Sequence, residues 1–284
     1  MTALSVASLH IYPVKSCRGR EVAHASLEMR GFEGDRRWMV TDADKRFLTQ
    51  RECGAMAQIV TEQENETLRL QRAGLNTIDV AVPTATTGTR ESVTVWRDEV
   101  SALAAGHAAD AWLSAALARP ARLFYMDDAT TRLTPTIWGP PCPVSFADGF
   151  PVLVTSTASL AHLNETIAAN GSDAVTMARF RPNIVIDGAE PWEEDRWASL
   201  AIGDVIIDLV KPCTRCKITT LDPVSGDDLT REPLQSLMAS RRSAHPDVKG
   251  VLFGWNANVR GVGAVSVGDQ VSIAEHRHEG WPLA

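Results

Sequence analysis

The chain has 284 residues, of which 44% are hydrophobic and 22% charged, with a formal net charge of −7 and five cysteines. That length is enough for a large core, as two domains or one elaborate one, and nothing in the composition departs from a soluble globular protein. The acidic balance argues against general nucleic-acid affinity, so a local basic cluster reads as a site for a particular anion. No apolar run approaches the roughly 18 residues of a membrane span. The opening MTALSVASLHIYPVKS lacks the basic and apolar regions of a signal peptide. An odd cysteine count fits no disulfide framework, and the expected compartment is the reducing cytoplasm.

In chain order, LHIYPVKS alternates apolar and polar residues until Pro13 interrupts it. RRWMVTDADKRFLTQR reads as two strands about an Asp-Ala-Asp turn. LRLQRAG, IDVAV and SVTVWRDEV each predict one further strand. The first helix is expected over about residues 102–119, Ala- and Leu-rich and closed by Pro120. RLFYMDDATTRLTPTIWGPPCPVSFADGF, dense in Pro, Gly and Asp, predicts a long ordered loop of the functional kind. PVLVTS is a buried strand ending at Ser156-Thr157, which can cap the helix STASLAHLNETIAA. RPNIVIDG is a strand, and IGDVIIDLVKPC is a hairpin arm. EPLQSLMASRR supplies a further helix, and GAVSVG and QVSIAE are the last strands. The expected fold is mostly β with helices, α+β in class, with a domain seam near residues 119–145.

The arm leads into KPCTRCKITTLDP, where Cys213 and Cys216 stand three apart among Lys211, Arg215 and Lys217. A structural zinc site needs a second ligand pair, and Cys17, Cys53 and Cys142 are isolated. A thioredoxin-type dithiol opens a helix, whereas KITTL reads as a strand. Cys213, after Pro212, fits a small buried hydrophobe. Cys216 lies between Arg215 and Lys217, whose field favours a thiolate if their side chains share its face, which strand alternation does not guarantee. A soft sulfur among cations suits a soft metal carried on an anionic cofactor.

KPCTRCKITTLDP, with FRPNIVIDG and EEDRWASLAIGDV before it and LFGWNANVRGVGAVSVGDQV after it, resembles the MOSC domain. IYPVKSCRG and GDRRWMVTD resemble the MOSC N-terminal β-barrel region joined to it in the amidoxime-reducing component and its bacterial homologues. The resemblance runs from about Leu9 to Ile273. It implies a MOSC N-terminal β-barrel region over residues 1–120 and a MOSC β-barrel domain over 121–284. It also implies a molybdenum-molybdopterin cofactor with Cys216 as both metal ligand and catalytic residue. Residue by residue, it carries the cofactor-binding role to Lys15 and Ser16 in PVKS and Arg36 in GDRRW. Asp148 in FADGF, Ser156 in VTSTASL, and Arg181 and Asn183 in RPN follow, with Thr214 and Arg215 before the ligand. An anionic phosphate in a partly dry pocket calls for such charge-assisted donors.

Two positions depart from the family pattern. Phe150 stands where relatives with the FADxS pattern have serine. Asn256, after Trp255, stands in the cofactor pocket where some relatives have tyrosine. The implied reaction reduces small N-hydroxylated substrates, N–O to N–H, with two electrons and two protons and release of water. No ferredoxin domain follows at Ala284, so a separate ferredoxin-type or cytochrome-b5-like protein is the expected electron donor. The rival readings are a cofactor carrier or sulfur-transfer protein, since MOSC domains also end molybdenum-cofactor sulfurases, and a non-enzymatic binding domain.

Overall fold

The computed structural model describes residues 3–228 and 230–284. Its largest element is an eight-stranded sheet. The strand order is Val271–His276, Trp197–Ile202, Val205–Arg215, Val251–Gly261, Val152–Ser156, Ile184–Asp187, Ser5–Ile11 and Arg20–Val22. Its apolar face carries Leu9, Val154, Ile184, Ile186, Leu200, Ile207 and two fully buried tryptophans, Trp197 and Trp255. The sheet rolls until Leu4 and Val6 meet Gly268–Val271 through backbone hydrogen bonds of 2.8–2.9 Å. The expected barrel is therefore a rolled sheet joined at one seam, not a continuous closed ladder. Its one parallel pair, Val152–Ser156 with Ile184–Asp187, is bridged by a helical crossover.

The rest of the first half forms a four-stranded sheet and a three-stranded sheet, the latter built from Val60–Glu64, Thr67–Gln71 and Ile78–Ala81. Against them packs helix α1, His107–Leu117, through Ala109, Leu113 and Ala116. The helix starts five residues later than composition suggests because Ala102, Leu103 and Ala104 belong to a strand. SVTVWRDEV is likewise two strands: Arg90–Val95 pairs with Asp98–Ala104 across a tight turn at Trp96, whose φ is 57°. Strands from the two ends of the chain also pair, Gly263–Ser266 with His24–Glu28.

Helix α2, Thr157–Ala169, follows its strand as expected, with Ser156 at the N-cap accepting from the Ser159 amide at 3.1 Å. Helix α3 is Leu234–Ser240. None of the described helices is long and apolar enough to cross a membrane.

The start of α2 rests on a buried polar chain. The Ser156 hydroxyl donates to Ser159, and Ser159 donates to Glu194 Oε2 at 2.7 Å. Glu194 is 1% exposed, and its Oε1 has no partner. Burial pushes its carboxyl up to about 7 against the Ser159 hydrogen bond, from an ordinary value of 4.5. A carboxyl whose folded pKa lies above its unfolded one stabilises the fold fully below the unfolded value and loses that contribution as pH rises through the folded one. Stability should therefore fall by about 3 kcal/mol between pH 4.5 and 8 on account of this group. Denaturant unfolding of Glu194→Gln at both pH values should lack that component, and an unchanged pH slope in the variant would remove Glu194 as its source.

Candidate functional site

The strand that carries the cysteine pair is irregular. Val205–Arg215 pairs with Val251–Gly261 in a register that slips between Leu209 and Lys211, and again between Pro212 and Thr214. Bulges of this kind break the alternation of a strand and re-aim its side chains. As a result Cys213, Thr214, Arg215 and Cys216 all line one cleft, although they are consecutive. The backbone then turns into a single 3-10 turn, Lys217–Thr220, rather than the strand that KITTL suggested. Both the amide and the hydroxyl of Thr219 donate to the Cys216 carbonyl at 3.0 Å.

The two sulfurs differ. Cys216 is exposed, whereas Cys213 is half-buried and burial raises its thiol above the ordinary range. The flanking cations are turned to other partners. Lys217 pairs with Asp228 at 2.8 Å, and Arg215 donates to the carbonyls of Phe180 at 2.9 Å and Phe253 at 2.8 Å.

Opposing residues come from the front of the chain. After the Ser5–Ile11 strand, Tyr12–Ser16 enter a turn that buries Lys15 to 4% exposure. Its ammonium donates to the Phe146 carbonyl at 2.9 Å and to the exposed Asp148 carboxylate. Burial pulls Lys15 below the ordinary ammonium range, and Asp148 offsets part of that. Phe146 is itself sunk in the core of the four-stranded sheet with Met39, Val93 and Phe124, which anchors the Pro-rich loop just before Asp148.

Arg36 and Arg181 meet over one buried ring. Their guanidinium carbons lie 4.5 and 4.3 Å from the centroid of Tyr12, whose hydroxyl donates to Pro182 and whose pKa burial pushes up to about 12. Arg36 donates to Asp35 at 2.6 Å, to Asn183 Oδ1 at 3.2 Å and to the Arg181 carbonyl at 3.3 Å. Burial opposes its charge, but the Asp35 carboxylate overcomes this and raises its pKa. Arg181 spends Nη1 on the Cys17 carbonyl, and its buried Nη2 has no partner. Ser16, Arg36 and Arg181 all hold positive φ, at 65°, 49° and 54°.

Ten of the eleven expected site residues thus share one cleft: Lys15, Ser16, Arg36, Asp148, Arg181, Asn183, Thr214, Arg215, Cys216 and Asn256, with Phe150 in its wall. Asn183 is 1% exposed and orients rather than reaches out, its amide held by Arg36, the Leu153 amide and the His10 carbonyl. Ser156 is the exception. It is fully buried in the α2 cap and does not line the cleft. Sequence reasoning missed Tyr12, Asp35, Thr49, Arg51, Trp96 and Arg179. Of these, Tyr12 and Asp35 stand inside quoted motifs, IYPVKS and GDRRW, and adjacency to Lys15 and Arg36 was the available signal.

Among the described residues no three His, Cys, Asp or Glu side chains converge as a metal cluster. The donor set at Cys216 is one thiol beside many cations, which fits a metal whose other ligands arrive on an anionic carrier.

Such a two-part fold with a cationic cleft at a lone exposed cysteine defines a class. Residues 3–120 match the MOSC N-terminal beta barrel domain and residues 141–272 match the MOSC domain. The chain belongs to the MOSC family, in the branch that holds the amidoxime-reducing components. It is 32% identical over 282 residues to mitochondrial amidoxime-reducing component 1 of Homo sapiens, covering 95% of this chain and 82% of that protein. To mitochondrial amidoxime reducing component 2 of Rattus norvegicus it is 31% identical, covering 94% and 82%. A molybdenum cofactor sulfurase of Oryza sativa subsp. japonica is 28% identical over 94% of this chain and 34% of its own length.

The Arg36–Asp35 pair is the part of the cleft most exposed to test by stability. Its side chains are 13% and 2% exposed. Asp35→Ala leaves a buried guanidinium unpaired and should cost about 3–5 kcal/mol in denaturant unfolding. A loss below about 1 kcal/mol would mean that solvent compensates Arg36 and that the pair does not organise the cleft.

Proposed function

We propose that this chain is a molybdenum-cofactor-dependent oxidoreductase that reduces small N-hydroxylated compounds. The observation that carries the reading is the convergence of Lys15, Arg36 and Arg181 on the cleft of the exposed Cys216, with a buried Arg181 nitrogen left without a partner. An unpaired buried donor is costly and is normally matched by something that binds. A phosphate-bearing pterin fits it. Lys15, Arg36 and Arg181 would hold the phosphate, the Ser16 and Thr214 hydroxyls would add neutral donors, and Cys216 would ligate the metal. Molybdenum bound there supplies the two-electron couple for cleaving the N–O bond.

The residues of the chain bind, orient and shield. Phe150, 9% exposed, presents an apolar wall in place of a hydroxyl, and Asn256 would offer an amide to the cofactor from the same cleft. The overall change takes two electrons and two protons, converts N–O to N–H and releases water. A ferredoxin-type or cytochrome-b5-like protein would bring the electrons, as a separate partner.

A second reading, a cofactor carrier or sulfur-transfer protein, is favoured by the similarity to the rice sulfurase. Turnover of an amidoxime with an artificial electron donor separates them, because a carrier binds pterin and molybdenum without reducing substrate. In the reductase, Cys216→Ser should keep the fold and the pterin while reduction drops to background. Full turnover by that variant with molybdenum bound would take Cys216 out of the reaction. Arg181→Ala should instead lower molybdenum per purified chain several-fold, measured by metal analysis. Undiminished loading would remove Arg181 from cofactor retention.

A further inference from the structure

One cation of the cleft is not engaged. Lys15 pairs with Asp148, Arg36 with Asp35, and Arg179, Arg181 and Arg215 donate to backbone carbonyls. Arg51 lines the same cleft and, among the described residues, makes no hydrogen bond or ion pair. What it has is a platform. Its guanidinium carbon lies 4.6 Å from the ring centroid of Trp96. That indole packs in turn on Phe47 at 4.9 Å and donates to Asp148 Oδ1 at 3.2 Å.

The platform is built at a cost. Trp96 occupies the left-handed region at a hairpin tip, where a bulky residue is an outlier, and the residue stays 41% exposed. From the other side, the turn bearing Arg51 is pinned where Gln50 donates to the Ser16 carbonyl at 2.7 Å. Stacking occupies the face of a guanidinium and leaves its N–H donors, which lie in its plane, unspent. An unpaired fork with an indole against one face, inside a cleft, is matched by a planar two-oxygen anion, and a carboxylate fits it bidentately.

We infer that Arg51, presented by Trp96, is a specificity-determining residue that receives a carboxylate on the substrate, separate from the cations that hold the cofactor phosphate. This rests on the reductase reading for the word substrate, but not for the site. The N-terminal half would then select among substrates whose reacting group is handled by the cysteine loop.

The experiment uses cofactor-loaded protein in two arms. In the first, benzoate is titrated calorimetrically without any electron donor. In the second, KM is compared for an aryl amidoxime and its para-carboxylate with an artificial donor. Wild type should bind benzoate and favour the carboxylated substrate by roughly tenfold, the scale of one charge-assisted pair. Arg51→Gln should abolish both effects with molybdenum and pterin content intact. Arg51→Lys, which keeps charge without the planar fork, should lose most of the preference. Thermal unfolding of both variants checks that the fold is kept, and Trp96→Phe, which keeps a ring beneath Arg51, should retain the preference. Benzoate binding that survives Arg51→Gln, or a wild type with no preference, overturns the assignment. Loss of pterin from Arg51→Gln overturns it too, by moving Arg51 to the cofactor. If no N-hydroxylated compound is reduced at all, the reductase reading fails while the benzoate arm still decides the site.

Discussion

Holding Arg36 and Arg181 side by side is the constraint around which this molecule is arranged. Two guanidiniums repel, and both are taken largely out of water, so the protein must supply what water would have given. It does so with one aromatic ring and one buried carboxylate. Tyr12 offers its face to both cations, each contact worth about 0.5–2 kcal/mol where solvent is excluded. Asp35 neutralises Arg36 and also accepts the Tyr12 amide at 2.8 Å, which ties the ring to its counter-ion. The Arg181 carbonyl accepts from Arg36, so the two arginines are linked through backbone as well as through the ring. The result is a cationic wall that stays compact with one nitrogen unspent.

That wall requires strain. Ser16, Arg36 and Arg181 each turn the chain through the left-handed region, at about 1–3 kcal/mol apiece for residues that are not glycine. All three sit in tight turns between a strand and the cleft, where the backbone must reverse while the side chain faces inward. Such turns persist because packing around them over-determines the backbone. Leu9 and Ile184 on one side and Val14, Cys17 and Trp38 on the other are buried in separate hydrophobic clusters, and the strained residues lie between them. The cysteine loop is clamped in a similar way. Gly54 and Gly226 approach so closely that a Cβ on either would collide with the backbone of the other, and Arg18 and Gln58 donate to the Val224 and Ser225 carbonyls at 2.6 and 2.9 Å.

What could be read in the chain beforehand followed from local rules. The strand before the cysteines, the Ser156 cap of α2 and the buried run PVLVTS are short-range patterns, and they form as composition and periodicity dictate. Ten of the eleven residues named from family likeness line one cleft. What was not legible depends on distant partners. Nothing in SVTVWRDEV marks a turn, because Trp96 fills a place where glycine is the usual choice. ALAA reads as helix until a neighbouring strand claims it. Ser156, the eleventh, lies outside that lining because its hydroxyl is bonded to Ser159, a partner in the helix it caps. Arg51 carried no signal at all, since a lone arginine in a turn gains meaning only when an indole from another hairpin lies beneath it.

The bulges explain why the two cysteines of one motif have different chemistry. In a regular strand, residues three apart face opposite sides, and one sulfur would be buried while the other faced solvent by geometry alone. Here the slip after Pro212 brings both into a common cleft, and depth rather than face distinguishes them. Cys213 is half-buried, and burial raises its thiol above the ordinary range, while Cys216 stands at the strand end where the 3-10 turn lifts it into the open. A thioredoxin-type dithiol opens a helix, whereas only a single 3-10 turn follows Cys216, and a closed zinc site needs four ligands. One accessible sulfur facing a wall of cations satisfies neither. It suits a metal that comes with most of its ligands and its negative charge already attached.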